Sequence, residues 1–335
     1  MTLSQKIRSK LARNIKYLYR DIYYKLGLHK GFYQSARGSR ILIYHGICQH
    51  DHLRFNTIFI TQKTFESHLK FYKKHFNVIS LDAYYKQEFS KDRFNVCLTF
   101  DDGFANNYKY VLPLLEKYKI PAAFFITAIQ AAGYDILWND FLSIVSKYGP
   151  KEIVYKNESH IKDRYNKYIS LVSGEKLADK LRSGDFEEKA DMMKLLSPLS
   201  DFKTNKYDED YWLQMTPGQI RALSVSPFVT VGAHGYYHND LAKIDINNAT
   251  EELALSRQYL EDIIGEKVTS LAFPYGSYSP EVIEAAKSTG YEQLLAMEFY
   301  SENDQEDKAI RERLAVNPFI STPNQMYATI TGNYE

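Results

Sequence analysis

Cysteine is nearly absent: Cys48 and Cys97 are the only two in 335 residues. That excludes a disulfide framework. With no Cys-x-x-Cys pair it also excludes a thiolate zinc site. Each cysteine lies beside an apolar run, which assigns both to packing. Net charge is as scarce, since 42 Lys and Arg against 41 Asp and Glu leave +1; bulk charge therefore points to no nucleic-acid partner. No stretch is long and apolar enough to span a bilayer. The N-terminus shows neither the apolar core nor the small-residue cleavage site of a secretory signal. The expected location is the cytoplasm, and the one feature that draws the chain towards the inner face of a membrane is its N-terminal segment.

In that segment Leu3, Ile7, Leu11, Ile15, Leu18, Ile22 and Leu26 recur at spacings of three and four, the stripe of an amphipathic helix. Lys6, Arg8, Lys10, Arg13, Lys16, Arg20 and Lys25 lie between them, opposed only by Asp21. A basic amphipathic helix can lie on an anionic membrane surface through residues 1–30, or pack on the domain with a solvated outer face. Residues 1–39 are read as this helical segment and 40–335 as one large domain.

From residue 40 onward short apolar runs alternate with helical patterns. The expected strands are Ile41–Tyr44, Val96–Phe100, Ala122–Thr127, Val229–Ala233, Thr269–Phe273 and Gln293–Met297, and helices are expected at Asn107–Tyr118, Thr250–Ile264 and Pro280–Ser288. Strands alternating with helices imply a parallel sheet, and six or more such units suggest a barrel. The interval between Thr127 and Val229 is too long for one connection. Residues 139–215, rich in Lys, Glu and Asp, read as a mostly helical insertion.

Polar clusters follow four of the apolar runs. Asp101-Asp102-Gly103 follows Phe100, His234-Gly235-Tyr236-Tyr237-His238 follows Ala233, Pro274-Tyr275-Gly276 follows Phe273, and His45-Gly46 follows Tyr44. In a parallel β/α architecture those strand ends share one face, where active sites are built. Two imidazoles and a carboxylate make a three-ligand metal site with an open position. His234 and His238 are four apart, so a helical turn could bring both onto one ion, with Asp102 as third ligand. Asp101 would then be a carboxylate beside the metal, free to take a proton from water.

In this order the clusters resemble the polysaccharide deacetylases, the family with the NodB homology domain. The first motif resembles Thr99-Phe100-Asp101-Asp102-Gly103, the second His234-Gly235-Tyr236-Tyr237-His238 and the third Phe273-Pro274-Tyr275-Gly276. The resemblance covers roughly residues 40–320 outside the insertion. It implies an α/β fold, a distorted (β/α)7 barrel, and one divalent metal ion, usually zinc. It implies Asp101 as general base, Asp102, His234 and His238 as metal ligands, and the backbone N–H of Tyr275, beside Pro274, at the oxyanion. Two departures stand out. Many members carry an Arg two residues before the third-motif Pro, where this chain has Ala272; Arg311 or Arg313 could substitute in space, with Arg313 preferred. No histidine follows His238, where many members place the acid. Ile41-Leu42-Ile43-Tyr44-His45 resembles the poly-N-acetylglucosamine deacetylase branch, in which this element is permuted to the N-terminus, and His45 is accordingly the candidate general acid.

The insertion is bracketed by Trp138 and Trp212, the only tryptophans. Either it walls a glycan cleft, with Trp138 and Asp140 touching substrate, or the tryptophans anchor it by packing. The expected reaction is removal of acetyl groups from an N-acetylated glycan of a bacterial surface polysaccharide or its precursor. O-acetyl ester hydrolysis needs little change in such a site. A non-catalytic glycan binder has no use for Asp101. Two histidines and a carboxylate also suit a non-haem iron oxygenase, but the ligand order and the adjacent second Asp favour hydrolysis.

Overall fold

A computed structural model describes residues 3–334; Met1 and Thr2 of the N-terminal segment, and Glu335, lie outside the described residues. Six parallel strands follow one another around the sheet: β1 (Ser39–Tyr44), β2 (Asn95–Phe100), β3 (Ala122–Ile126), β4 (Val229–Ala233), β5 (Ser270–Ala272) and β6 (Gln293–Leu295). The seventh, β7, is the extended stretch 310–315, and it is split. Ile310–Arg311 pairs with β6 while Leu314–Ala315 pairs with β1. One stretch of chain thus touches both edges of the sheet and closes it into a seven-position barrel. The barrel is distorted at a second seam. Asn77–Val78 pairs with the first residues of β2, β3 pairs only with Thr99 and Phe100, and β1 occupies the whole other edge of β2.

The strands read as continuous apolar runs because both faces are covered. Ile41, Cys97, Ala123, Phe125, Ala272 and Leu295, on alternate positions of five strands, form one buried cluster inside the barrel. Their neighbours Leu42, Leu98, Phe124, Leu271 and Leu294 belong to the larger core under the helices. Cys97 is part of the interior and Cys48 is buried elsewhere; both thiols are free, and burial pushes each up to about 12. They are packing residues.

The helix expected at Asn107–Tyr118 opens with a π-turn over Asn107–Val111 and continues as an α-helix over Leu112–Tyr118. Asp245 caps the helix Ile246–Ile264, and Ser279 caps Pro280–Thr289, each satisfying amide groups the helix leaves open.

The insertion leaves after β3 and joins its helices to a small β-sheet that the sequence reading did not include. Helices Trp138–Tyr148, Leu177–Arg182 and Phe186–Leu196 enclose a three-stranded antiparallel meander of Glu152–Tyr155, Glu158–Lys162 and Tyr168–Ser170. The first strand alternates exposed and buried residues. The turn joining it to the second places Lys156 (φ +50°) and Asn157 (φ +61°) in the left-handed region, the pattern of a two-residue hairpin turn. Lys156 lacks the usual Asn or Gly signature there, so charge content masked the period of two. The insertion packs on a second core, shared with Cys48, Phe55, Phe59 and Phe104, which contains both tryptophans.

Candidate active site

β2 runs directly into Asp101-Asp102-Gly103. Asp102 (φ +76°) and Gly103 (φ +81°) both adopt left-handed backbone. For a non-glycine residue this costs of order 1–3 kcal/mol, and Asp is among the few side chains that tolerate it. Gly103 is required as well, because a Cβ there would stand 2.8 Å from Cγ2 of Ile126. At the end of β4 the His234 amide donates to the Ile126 carbonyl at 3.0 Å, and Ala128 donates to the Gly235 carbonyl at 3.1 Å. The two histidines do not lie on a helical turn. The chain doubles back through Gly235 (φ +75°) and His238 (φ +58°), and this loop brings both rings to Asp102.

Asp102, His234 and His238 are buried, with one ligand atom of each within 4.8 Å of the others. Nε2 of His234 is 3.4 Å and Nε2 of His238 3.3 Å from Oδ1 of Asp102. A tetrahedral ion with bonds of ~2.0–2.1 Å separates its ligand atoms by about 3.3–3.4 Å, so both histidine–Asp102 separations suit a zinc-like ion. Nδ1 of His234 faces the Ala272 carbonyl at 2.7 Å, which places the proton on Nδ1 and the lone pair on Nε2. His238 is held by packing, with ring centroids 4.7 Å from Tyr275 and 5.1 Å from His234, and by Trp138 Nε1 donating to its carbonyl at 3.4 Å. Burial opposes the charge on Asp102, but hydrogen bonds from both histidines hold its carboxyl well below the usual range. Burial also dominates at His238 and lowers its pKa, favouring the neutral ring that a ligand needs.

Asp101 is the non-ligating carboxylate. Arg313, in the break between the two halves of β7, reaches it inside the barrel. Its Nη1 and Nη2 donate to Oδ1 and Oδ2, each at 2.8 Å. Nη1 also donates to Thr99 Oγ1 at 3.1 Å and Nε to the Ala296 carbonyl at 3.4 Å. The side chains are 1% and 5% exposed. Burial would raise the Asp101 pKa, yet the Arg313 guanidinium, by its charge and its hydrogen bonds, outweighs it and the net shift is downward. Arg311 turns elsewhere, its guanidinium 5.0 Å from the Tyr85 ring. Ala272 is small and buried, and the space its missing arginine would fill is approached instead from β7.

His45 follows β1, half-buried. Its carbonyl accepts from Asn107 Nδ2 at 2.9 Å, and its ring is close enough to Asp101 and Asp102 to act electrostatically on both. Pro274 is buried and Tyr275 has φ +60°, so the third motif is a strained turn. It is kept tight by Gly276, where a Cβ would fall 2.2 Å from Met297 Cγ.

The glycan-wall expectation for Trp138 is corrected. Trp138 is 2% exposed, with Lys189 Nζ 5.2 Å from its ring, and Trp212 is buried too. An indole enclosed on both sides anchors the insertion beneath His238 and offers no face to a sugar. Asp140 is also buried. Burial and the charge of Asp102 push its carboxyl well above the usual range, and its Oδ2 has no hydrogen-bond partner.

Several residues that shape the site escaped the sequence reading. Arg182 pairs with Asp240 at 2.7 Å and lies 4.3 Å from the Tyr275 ring centroid. Lys189 is fully buried and donates to Asn239 Oδ1 and to the Gly184 carbonyl. Asn239 donates in turn to Glu252. The insertion therefore grips the loop that carries His238. Asn239-Asp240 sits directly after the second motif, but nothing marks Arg182 or Lys189 within a Lys- and Glu-rich stretch.

The family model for polysaccharide deacetylase matches residues 90–294. The chain belongs to the polysaccharide deacetylase family. A curated relative, the poly-beta-1,6-N-acetyl-D-glucosamine N-deacetylase of Staphylococcus aureus (strain MRSA252), is 32% identical over 114 residues, which is 32% of this chain and 38% of the relative. The match to such relatives thus spans well under half of their length. Among solved structures, the Streptococcus pyogenes deacetylase PplD in complex with acetate superposes with a TM-score of 0.55 at 15% identity, covering 87% of this chain and 97% of that one. IcaB from Ammonifex degensii gives 0.53 at 16% identity, covering 88% and 98%. Both share the fold of this polysaccharide deacetylase: parallel strands curled into a distorted barrel with helices outside.

Proposed function

We propose that this polysaccharide deacetylase is a metal-dependent N-deacetylase acting on a β-linked N-acetylglucosamine polymer or its precursor, of the kind named for its staphylococcal relatives. The observation that carries the catalytic part is Asp101: a buried carboxylate beside the Asp102/His234/His238 set, kept charged by Arg313 and not needed as a ligand. A protein that only bound glycan would gain nothing from it.

Asp102, His234 and His238 would hold a divalent ion, which would supply a Lewis acid and make a water beside it more acidic. Asp101 takes the proton as the water oxygen bonds to the acetamide carbon. The Tyr275 amide donates to the oxygen that gains charge. His45 gives a proton to the sugar nitrogen as the C–N bond breaks, so acetate and a free amine leave. Arg313 keeps Asp101 oriented and ionised between turnovers. The relevant experiment is incubation with β-1,6-linked N-acetylglucosamine oligomers, with free amine and acetate measured together. Equal amounts of both support the reading; turnover of O-acetyl sugars alone, with no amine formed, would move the reaction to ester hydrolysis.

A further inference from the structure

The N-terminal helix Leu3–Lys25 is mounted with its apolar side outward. It meets the helix Thr322–Thr331 and the C-terminal residues through Tyr17, Arg20, Asp21 and Tyr24, which share one face. The Tyr17 hydroxyl donates to the Tyr334 carbonyl at 2.7 Å, Asn324 donates to Asp21 at 3.1 Å, and the Arg20 guanidinium lies 3.6 Å from the Tyr327 ring centroid. The opposite face carries Leu11, Ile15, Leu18 and Ile22, which with Leu26 just beyond the helix are 48% to 67% exposed. The side chains of Leu3 and Ile7 lie outside the described residues. A helix that merely covered a soluble domain would turn this stripe inward. Here Tyr17, Arg20, Asp21 and Tyr24 face the body instead, and the apolar stripe is left uncovered.

Charge identifies what fits the stripe. Arg8, Lys10, Arg13, Lys16 and Lys25 are exposed on the same helix. Asp21, the only acid in the helix, is turned into the body, where Ser321 and Asn324 bond it. Tyr19 and Tyr23 are exposed at the edge of the stripe, with the apolar ring and polar tip that suit a headgroup layer. An aromatic-lined cleft of about 510 Å³ adjoins it between Ile15, Tyr19, Phe32 and Tyr327. No helix among the described residues is long and apolar enough to cross a membrane, so the helix would lie in the plane of a surface. A second copy of the same cationic helix would meet like charge. We propose that this helix docks the enzyme on an anionic lipid surface, with Leu11, Ile15, Leu18 and Ile22 entering the interface and the basic residues at the phosphates. The inference rests on the helix alone and is independent of the catalytic reading.

Vesicle flotation of the full chain tests it, using phosphatidylglycerol/phosphatidylcholine vesicles and phosphatidylcholine vesicles. The wild type should float with the anionic vesicles at low salt and lose most of that binding at ~0.5 M salt, where the Debye length falls to a few ångströms. Leu11→Ser, Ile15→Ser, Leu18→Ser and Ile22→Ser combined should cut binding at least tenfold with Tm and acetate release in solution unchanged. Lys10→Gln, Arg13→Gln and Lys16→Gln combined should cut binding to anionic vesicles only. Wild type that stays soluble with anionic vesicles, or a serine variant that floats as well as wild type, would overturn the proposal. So would a dimer in sedimentation velocity that the serine variant abolishes, since the stripe would then be a self-association face.

Discussion

Replacing Arg313 by methionine probes the pairing that governs Asp101. Arg313 donates to both Asp101 oxygens at 2.8 Å, with further bonds to Thr99 and Ala296. Methionine fills much of the volume but leaves a carboxylate 5% exposed with no countercharge. Removing one partner of a buried pair costs about 3–5 kcal/mol, a large share of the ~5–15 kcal/mol that holds a domain folded. Asp101→Asn on the Arg313→Met background removes the stranded charge, so the double variant should recover at least ~2 kcal/mol relative to additivity. The pH dependence has a definite sign. In the wild type the Asp101 pKa is depressed, so its contribution is present above the ordinary carboxylate pKa and is lost as pH falls through the folded value. Without Arg313, burial acts with less opposition and the folded pKa rises, which reverses the contribution at neutral pH. The deficit of Arg313→Met should therefore be largest near pH 7 and shrink towards pH 4. Urea unfolding with a chelator present, at both pH values, measures it. A deficit below ~1 kcal/mol at pH 7, or strict additivity in the double variant, would refute the reasoning.

His45→Ala should lower kcat by about 10²–10⁴ and leave metal content by elemental analysis unchanged; loss of metal would make His45 a ligand instead. Trp138→Ala should cost about 3–5 kcal/mol in unfolding experiments because the indole is buried under His238, whereas a raised KM on an intact fold would restore a sugar-contact role. Gly276→Ala should lower both Tm and kcat, since its Cβ would collide with Met297 and strain the turn at Tyr275. Lys189 is lowered from 10.5 to about 8, chiefly by burial. The unfolded chain therefore binds more protons between those values, and the wild type should gain stability relative to Lys189→Met as pH rises from about 8 towards 10. A flat difference across that range would contradict the burial of a charged Lys189.

Much of the barrel is legible in the chain because its strands are buried on both faces and read as unbroken apolar runs; Val229–Ala233 appears with the same ends in sequence and structure. β7 is harder to read, because each of its halves pairs over two residues and the break between them holds a charged side chain. The four polar clusters are legible for the same reason as the strands: each begins where an apolar run stops. Their backbone is not, since left-handed Asp102, His238 and Tyr275 carry no glycine signature. Burial of Trp138, and the grip of Arg182 and Lys189 on the His238 loop, arise from contacts across fifty or more residues or from a mixed insertion whose charge content concealed its hairpin.

The central claim is that Asp101 acts as base beside a metal held by Asp102, His234 and His238. It is tested most directly by acetate release from N-acetylglucosamine oligomers, comparing zinc-loaded enzyme, chelated enzyme and zinc-loaded Asp101→Asn. The account predicts release from the first alone, with Asp101→Asn still binding one equivalent of zinc. Equal release from all three, or no zinc bound by the wild type, would contradict it.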